Sequence, residues 1–170
     1  MKYLVASDLH GCEEGLKFLL KKFKQLRCDK LILLGDYLGG DPKTNENIIN
    51  LLNFFKDDLI ALEGNCDRFI QEALDFELKD SFTFRQNGRI YCLSHGDNLN
   101  IYIDNLINID NVFIVFGHTH RVSHYTSGNI NFINIGSISF PRGSSKKCYG
   151  IIEENSINIF DLNDSIILSI

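Results

Sequence analysis

No Cys-x-x-Cys pair occurs, and the cysteines are odd in number: Cys12, Cys28, Cys66, Cys92 and Cys148 are scattered along the chain. That argues against a disulfide framework and for free thiols in a reducing compartment, so a cytoplasmic location is expected. Long apolar runs are missing too. No stretch approaches the length of a bilayer span, and the apolar part of Met1 to Asp8 is too short for a signal peptide, so a soluble protein with no membrane association is expected. Basic charge is in deficit, with 17 Lys and Arg against 22 Asp and Glu, a net charge of -5. A broad nucleic-acid-binding surface is therefore not expected, and any affinity for phosphate has to be local. Linkers, repeats and low-complexity tracts are absent. With 170 residues and 44% hydrophobic content, residues 1–170 read as a single domain with its own core.

What is present alternates. Residues 2–7 form an apolar run, followed by Leu16, Leu19, Leu20, Phe23 and Leu26 at helical spacing. Glu13 and Glu14 stand where the helix dipole favours acids. Residues 30–34 are again apolar, then Ile48, Ile49, Leu52 and Phe55 recur with helical period, and residues 59–62 make a third strand-like run. This is the pattern of parallel β-α-β units. From residue 81 the pattern changes. Asn87-Gly88 lies between two strand-like runs, a strong hairpin signal, and Ser127-Gly128-Asn129 separates two more. Residues 112–116 form another buried run, and 149–152 with 157–160 suggest a third hairpin, closed by 166–170. A largely antiparallel second sheet is expected. The fold class is α/β, with two sheets packed face to face and helices outside.

Five short polar motifs each follow an apolar run: Asp8-Leu9-His10-Gly11, Gly35-Asp36, Gly64-Asn65, His95-Gly96 and Gly117-His118-Thr119-His120. Loops at the carboxyl ends of strands line the ligand crevice of an α/β sheet, so residues remote in sequence can converge there. Together they offer two carboxylates, one amide and four imidazoles. That donor set suits borderline first-row cations better than a purely oxygen-bound Mg²⁺ or Ca²⁺. Seven candidates exceed the needs of one ion and divide between two if one carboxylate is shared. Such a pair can clamp an in-line displacement at phosphorus and ionise a water near neutral pH. Two ions, two carboxylates and a hydroxide leave a small net positive field, which attracts an anionic phosphate ester.

These motifs, with Gly64-Asn65-Cys66-Asp67 and Ser94-His95-Gly96-Asp97 written out, resemble the calcineurin-like metallophosphoesterase superfamily, and within it the small YfcE-type phosphodiesterases. The resemblance implies a four-layer α-β-β-α sandwich of two mixed β-sheets flanked by helices. It implies two divalent ions per subunit, Mn²⁺ first with Fe²⁺, Zn²⁺ or Ni²⁺ as alternatives. One ion would be held by Asp8, His10, Asp36 and His120, the other by Asp36, Asn65, His95 and His118, with Asp36 bridging. The expected activity is hydrolysis of small phosphodiesters by direct attack of a metal-bridging hydroxide on phosphorus. Asp36, Asn65 and His95 are the catalytic candidates; Asn65 and Arg142 are the substrate-binding ones. A homo-oligomer is also implied.

Cys66 stands where phosphomonoesterases of the superfamily carry a histidine, and a thiol is a weak donor. Diesters are therefore expected over monoesters. For Cys66 the alternative is a small buried filler; for Arg142, a solvated loop cation. Asp67 reads as the cap of a helix starting near Arg68, with orientation of a ligand as the alternative. Asn134-Ile135-Gly136-Ser137 resembles an Asn-Pro-Gly-Ser loop of the family without its proline. Substrate specificity is expected in the loops around residues 37–44, 97–108 and 136–147. Two other functions remain open: a phosphomonoesterase or nucleotidase on the same site, and a non-catalytic protein-binding scaffold of the same fold.

Overall fold

The computed structural model describes residues 1–100, 103, 106 and 108–170. Ile101, Tyr102, Asp104, Asn105 and Ile107 lie outside it, and with them part of the expected specificity loop at 97–108.

A six-stranded sheet runs in the order β11-β10-β9-β1-β2-β3, from β1 (Lys2–Ala6), β2 (Lys30–Leu33), β3 (Leu59–Ala61), β9 (Cys148–Glu153), β10 (Ser156–Asp161) and β11 (Ile166–Ser169). Its β1, β2 and β3 are parallel, joined through α1 (Glu13–Gln25) and through α2 (Glu46–Phe54). A five-stranded sheet follows the order β4-β5-β6-β8-β7, built from β4 (Ser81–Gln86), β5 (Arg89–Ser94), β6 (Val112–Phe116), β7 (Val122–Ser127) and β8 (Ile130–Ile135).

Both expected hairpins form, β4–β5 and β7–β8. The second sheet is nevertheless not largely antiparallel. Its three inner strands, β5, β6 and β8, pair in parallel, and only the edges β4 and β7 are antiparallel. All five residues of β6 are buried, as a strand covered on both faces requires. The third hairpin, β9–β10, joins the first sheet beside β1.

Side-chain alternation along β1 shows how the layers assemble. Leu4 and Ala6 face one core with Leu16, Leu19, Ile48 and Leu52 of the helices. Tyr3 and Val5, pointing the other way, join Ile32, Leu93, Val115 and Ile133 between the sheets. A third cluster, including Ile90, Val112, Ile114 and Phe132, lies on the outer face of the second sheet, covered by Leu99, Ile103, Leu106 and Ile109. Two mixed sheets packed on each other with helical cover make this an α/β sandwich. Among the described residues no helix is long and apolar enough to cross a membrane.

Candidate metal centre

The strands β1, β2, β3, β5 and β6 deliver their following loops to one edge of the sandwich. All seven candidate donors meet there. Asp8 Oδ1 lies 3.2 Å from His120 Nε2 and 3.8 Å from His10 Nε2. The His10 and His120 Nε2 atoms are 3.2 Å apart. On the other side, Asn65 Oδ1 lies 2.9 Å from His118 Nδ1 and 3.0 Å from His95 Nε2, and those two nitrogens are 3.2 Å apart. Asp36 Oδ2 stands between the groups, 3.5 Å from His10 Nε2 and 3.5 Å from His95 Nε2. Two ligand atoms bound tetrahedrally at about 2.1 Å from one ion stand about 3.4 Å apart, so these separations fit coordination.

Hydrogen bonding around the cluster fixes which atoms face inward. His95 Nδ1 donates to Leu34 O at 2.8 Å and His120 Nδ1 to Phe140 O at 2.6 Å, leaving both Nε2 atoms as lone pairs. Those lone pairs face carboxylate and amide oxygens, which are acceptors themselves. Protonating the rings instead would set imidazolium against imidazolium across 3.2 Å. Burial pulls the His10 imidazole below its usual value; Asp36 and Asp8 oppose this, and His120 and His95 add to it. A divalent cation between these atoms would resolve the conflict.

The carboxylates are held the same way. Asp8 Oδ2 accepts from the His118 N–H at 3.1 Å, whereas Asp8 Oδ1 is buried with no hydrogen-bond partner among the described residues. Asp36 Oδ1 accepts from the Cys66 N–H at 2.9 Å, which leaves Oδ2 for the centre. An unpaired oxygen on a residue with no solvent exposure is costly unless a cation sits beside it.

Backbone strain is concentrated here. Asp8, His10, Asp36, His118 and His120 have φ of 59°, 43°, 58°, 63° and 61°, half of the ten left-handed non-glycine residues among those described. Such residues cluster where surroundings over-determine them, at a cost of about 1–3 kcal/mol each. Glycine allows the close approach: a Cβ on Gly64 would fall on the Asp36 amide, and one on Gly117 would fall on the Ser7 hydroxyl.

Two expectations need correction. Asp67 caps no helix; only a short 3-10 turn follows, at Gln71–Ala73. Its buried carboxylate accepts from the N–H groups of Asp36 (2.7 Å), Gly64 (2.8 Å) and Tyr37 (2.9 Å), clamping the β2 loop to the β3 loop. Burial raises its pKa to about 6 against those three bonds. Cys66 is exposed, so it is no core filler. Partial desolvation of the sulfur, with the Asp36 carboxylate beside it, pushes its pKa up to about 11, so the thiol stays protonated at neutral pH.

A cleft of about 380 Å³ opens over the cluster, with Arg142 on its wall and Arg121 beside it. The sequence signals Arg121 only by its adjacency to His120. The Asn134 to Ser139 segment braces the site. Ser137 Oγ and Ser139 Oγ donate to Asp8 O, and Asn134 Nδ2 donates to Gly117 O. His124, outside the cluster, pairs with Asn131 at 3.2 Å.

Comparison with known proteins agrees with this architecture. The chain is 29% identical over 179 aligned positions to phosphodiesterase YfcE of Escherichia coli (strain K12), covering 99% of this chain and 96% of the relative. It is 28% identical to probable metallophosphoesterase YsnB of Bacillus subtilis (strain 168), over 89% and 83% of the two chains. The solved structure of the E. coli phosphoesterase YfcE superposes with a TM-score of 0.84 at 26% identity, over 100% of this chain and 98% of that one. Zn²⁺-complexed Vps29 from Entamoeba histolytica, at 19% identity, shares the fold alone, with a TM-score of 0.62 over 100% and 98%. Residues 1–156 match the calcineurin-like phosphoesterase superfamily domain, and with the strand-end loops placed as above, the chain belongs to that superfamily.

Proposed function

We propose that this protein is a dinuclear metal-dependent phosphodiesterase, with residues 1–170 acting as one domain. Asp8, His10, Asp36 and His120 hold one ion, and Asp36, Asn65, His95 and His118 the other. The observation that carries this reading is the position of Asp36 Oδ2, equally far from His10 and His95 at the junction of two donor groups. Two divalent ions held there would supply Lewis acidity and lower the pKa of a water toward neutrality, the chemistry that hydrolysis at phosphorus needs.

The chain's own groups do the rest. Leu34 O and Phe140 O hold His95 and His120 in the tautomer that aims a lone pair at the centre. Arg142, on the cleft wall, pairs with the substrate's phosphate oxygens. The Cys66 thiol lines the same cleft and is a weaker hydrogen-bond donor than the histidine it replaces. That favours diesters over monoesters, in keeping with the similarity to phosphodiesterase YfcE. Mn²⁺ is the expected ion, and the five free thiols and the bacterial relatives support a cytoplasmic location. All seven donor positions retain side chains able to bind a metal, which weighs against the scaffold alternative.

The test is hydrolysis of bis(p-nitrophenyl) phosphate by purified protein loaded with Mn²⁺, alongside its metal content. Asp36→Ala and His95→Ala should each cost more than the roughly 10- to 100-fold typical of residues that only support ligands. Absence of diester hydrolysis with Mn²⁺, Fe²⁺, Zn²⁺ and Ni²⁺ alike would refute the proposal.

A further inference from the structure

Beside the metal centre lies a second hollow of about 620 Å³, and His10 and Cys66 form walls of both. Leu38, Pro42 and Phe69 supply its apolar surface, and neither lysine nor arginine is among its lining residues. Phe69 is 78% exposed in the lining of this hollow, while the next residue, Ile70, is buried. A ring held at the lip of a cleft is a stacking platform, and stacking accepts any flat aromatic partner. Asp41, also in the lining, repels a second anionic group.

The opposite side has the reverse character. Arg121 and Arg142 line the cleft there, both exposed, and neither forms an ion pair among the described residues. Their backbones are pinned, Arg142 N–H to His120 O at 3.0 Å and Arg121 N–H to Thr119 Oγ1 at 3.3 Å. In a chain of net charge -5, two unpaired guanidiniums beside four imidazoles form a local anion-binding wall.

We infer that the substrate is an asymmetric phosphodiester: one ester arm carries a neutral planar ring that stacks on Phe69 over Leu38 and Pro42, and the other carries a further phosphate bound by Arg121, while Arg142 keeps the reacting phosphate. This rests on the phosphodiesterase reading and adds the two arms to it. Phe69 and Arg121 are specificity residues, and they touch substrate without taking part in the bond change.

The experiment uses two p-nitrophenyl phosphodiesters, one whose second alcohol ends in a phosphate and one ending in a hydroxyl. Kinetics on the Mn²⁺-loaded protein are paired with calorimetric binding of the methylenephosphonate analogue of the phosphate-bearing ester. Phe69→Ala should raise KM about five- to tenfold for both esters with kcat little changed, and Phe69→Tyr should restore it. Arg121→Gln should pull the kcat/KM ratio of the two esters toward one. Turnover with KM and ratio unmoved by these substitutions overturns the inference and leaves the phosphodiesterase reading intact. Analogue binding that depends on Phe69 and Arg121 without turnover of either ester overturns the activity and supports the two-armed cleft. Neither turnover nor binding overturns both.

Discussion

Asp8→Asn should make the metal-free protein more stable and shrink the further stabilisation that metal binding adds. Asp8 Oδ1 is buried, lacks a hydrogen-bond partner among the described residues and lies 3.2 Å from a lone pair on His120 Nε2. The new amide keeps an oxygen for the His118 N–H and turns an N–H₂ toward His120, replacing a repulsive contact with a hydrogen bond. Its left-handed backbone, φ 59°, suits asparagine as well as aspartate. Relief of one unsatisfied buried charged oxygen is worth about 1–3 kcal/mol, or roughly 2 to 12 °C in Tm for a chain of this size. A ligand at 100 times its Kd stabilises by about 2.7 kcal/mol, so saturating Mn²⁺ should raise the wild-type Tm by roughly 5 to 11 °C. The substitution removes an anionic donor, and that increment should fall below half. Thermal unfolding followed by circular dichroism in EDTA and in Mn²⁺ reads both quantities. A variant that melts below the wild type in EDTA and keeps the full Mn²⁺ increment would refute the reasoning.

Asp67→Asn should turn an N–H₂ against at least one of the three backbone N–H groups the carboxylate accepts from, costing about 1–3 kcal/mol in denaturant unfolding. The same variant should lose about 10- to 100-fold in metal affinity by equilibrium dialysis, because the two loops it clamps carry Asp36 and Asn65. Cys66→His places a better proton donor in the cleft and should raise the ratio of p-nitrophenyl phosphate to bis(p-nitrophenyl) phosphate turnover; an unchanged ratio would show that the thiol does not set the preference. Lys146 and the N–H groups of Ser165 and Asn163 hold the Asp161 carboxyl below its usual value, so its contribution is complete above the unfolded pKa of about 3.9 and is lost as pH falls through the lower folded value. Asp161→Asn should therefore lower stability at pH 7 and flatten its dependence on pH in that acid range, as urea midpoints would show.

Much of the site was legible because each motif follows an apolar run, and a strand followed by a glycine-flanked polar residue specifies a place as well as a chemistry. Asn87-Gly88 and Ser127-Gly128-Asn129 announced their hairpins for a similar local reason. Strand direction in the second sheet was not legible from turns. The direction of β5, β6 and β8 is set by long connections, and the uninterrupted apolar run Val112–Phe116 was the signal that β6 is covered on both faces. The role of Asp67 was not legible because two of its three bonds reach a loop about 30 residues away and leave no local trace, whereas an acid before a presumed helix is a familiar pattern. Arg121 and Phe69 escaped because exposure is decided by the whole surface.

Four of the seven donors, Asp8, His10, Asp36 and Asn65, follow strands of the six-stranded sheet, while His95, His118 and His120 follow strands of the other. Neither sheet alone supplies either of the proposed ligand sets. With the proposed ligand sets, an occupied centre would act as a rivet across the seam between the two sheets, so that they open together.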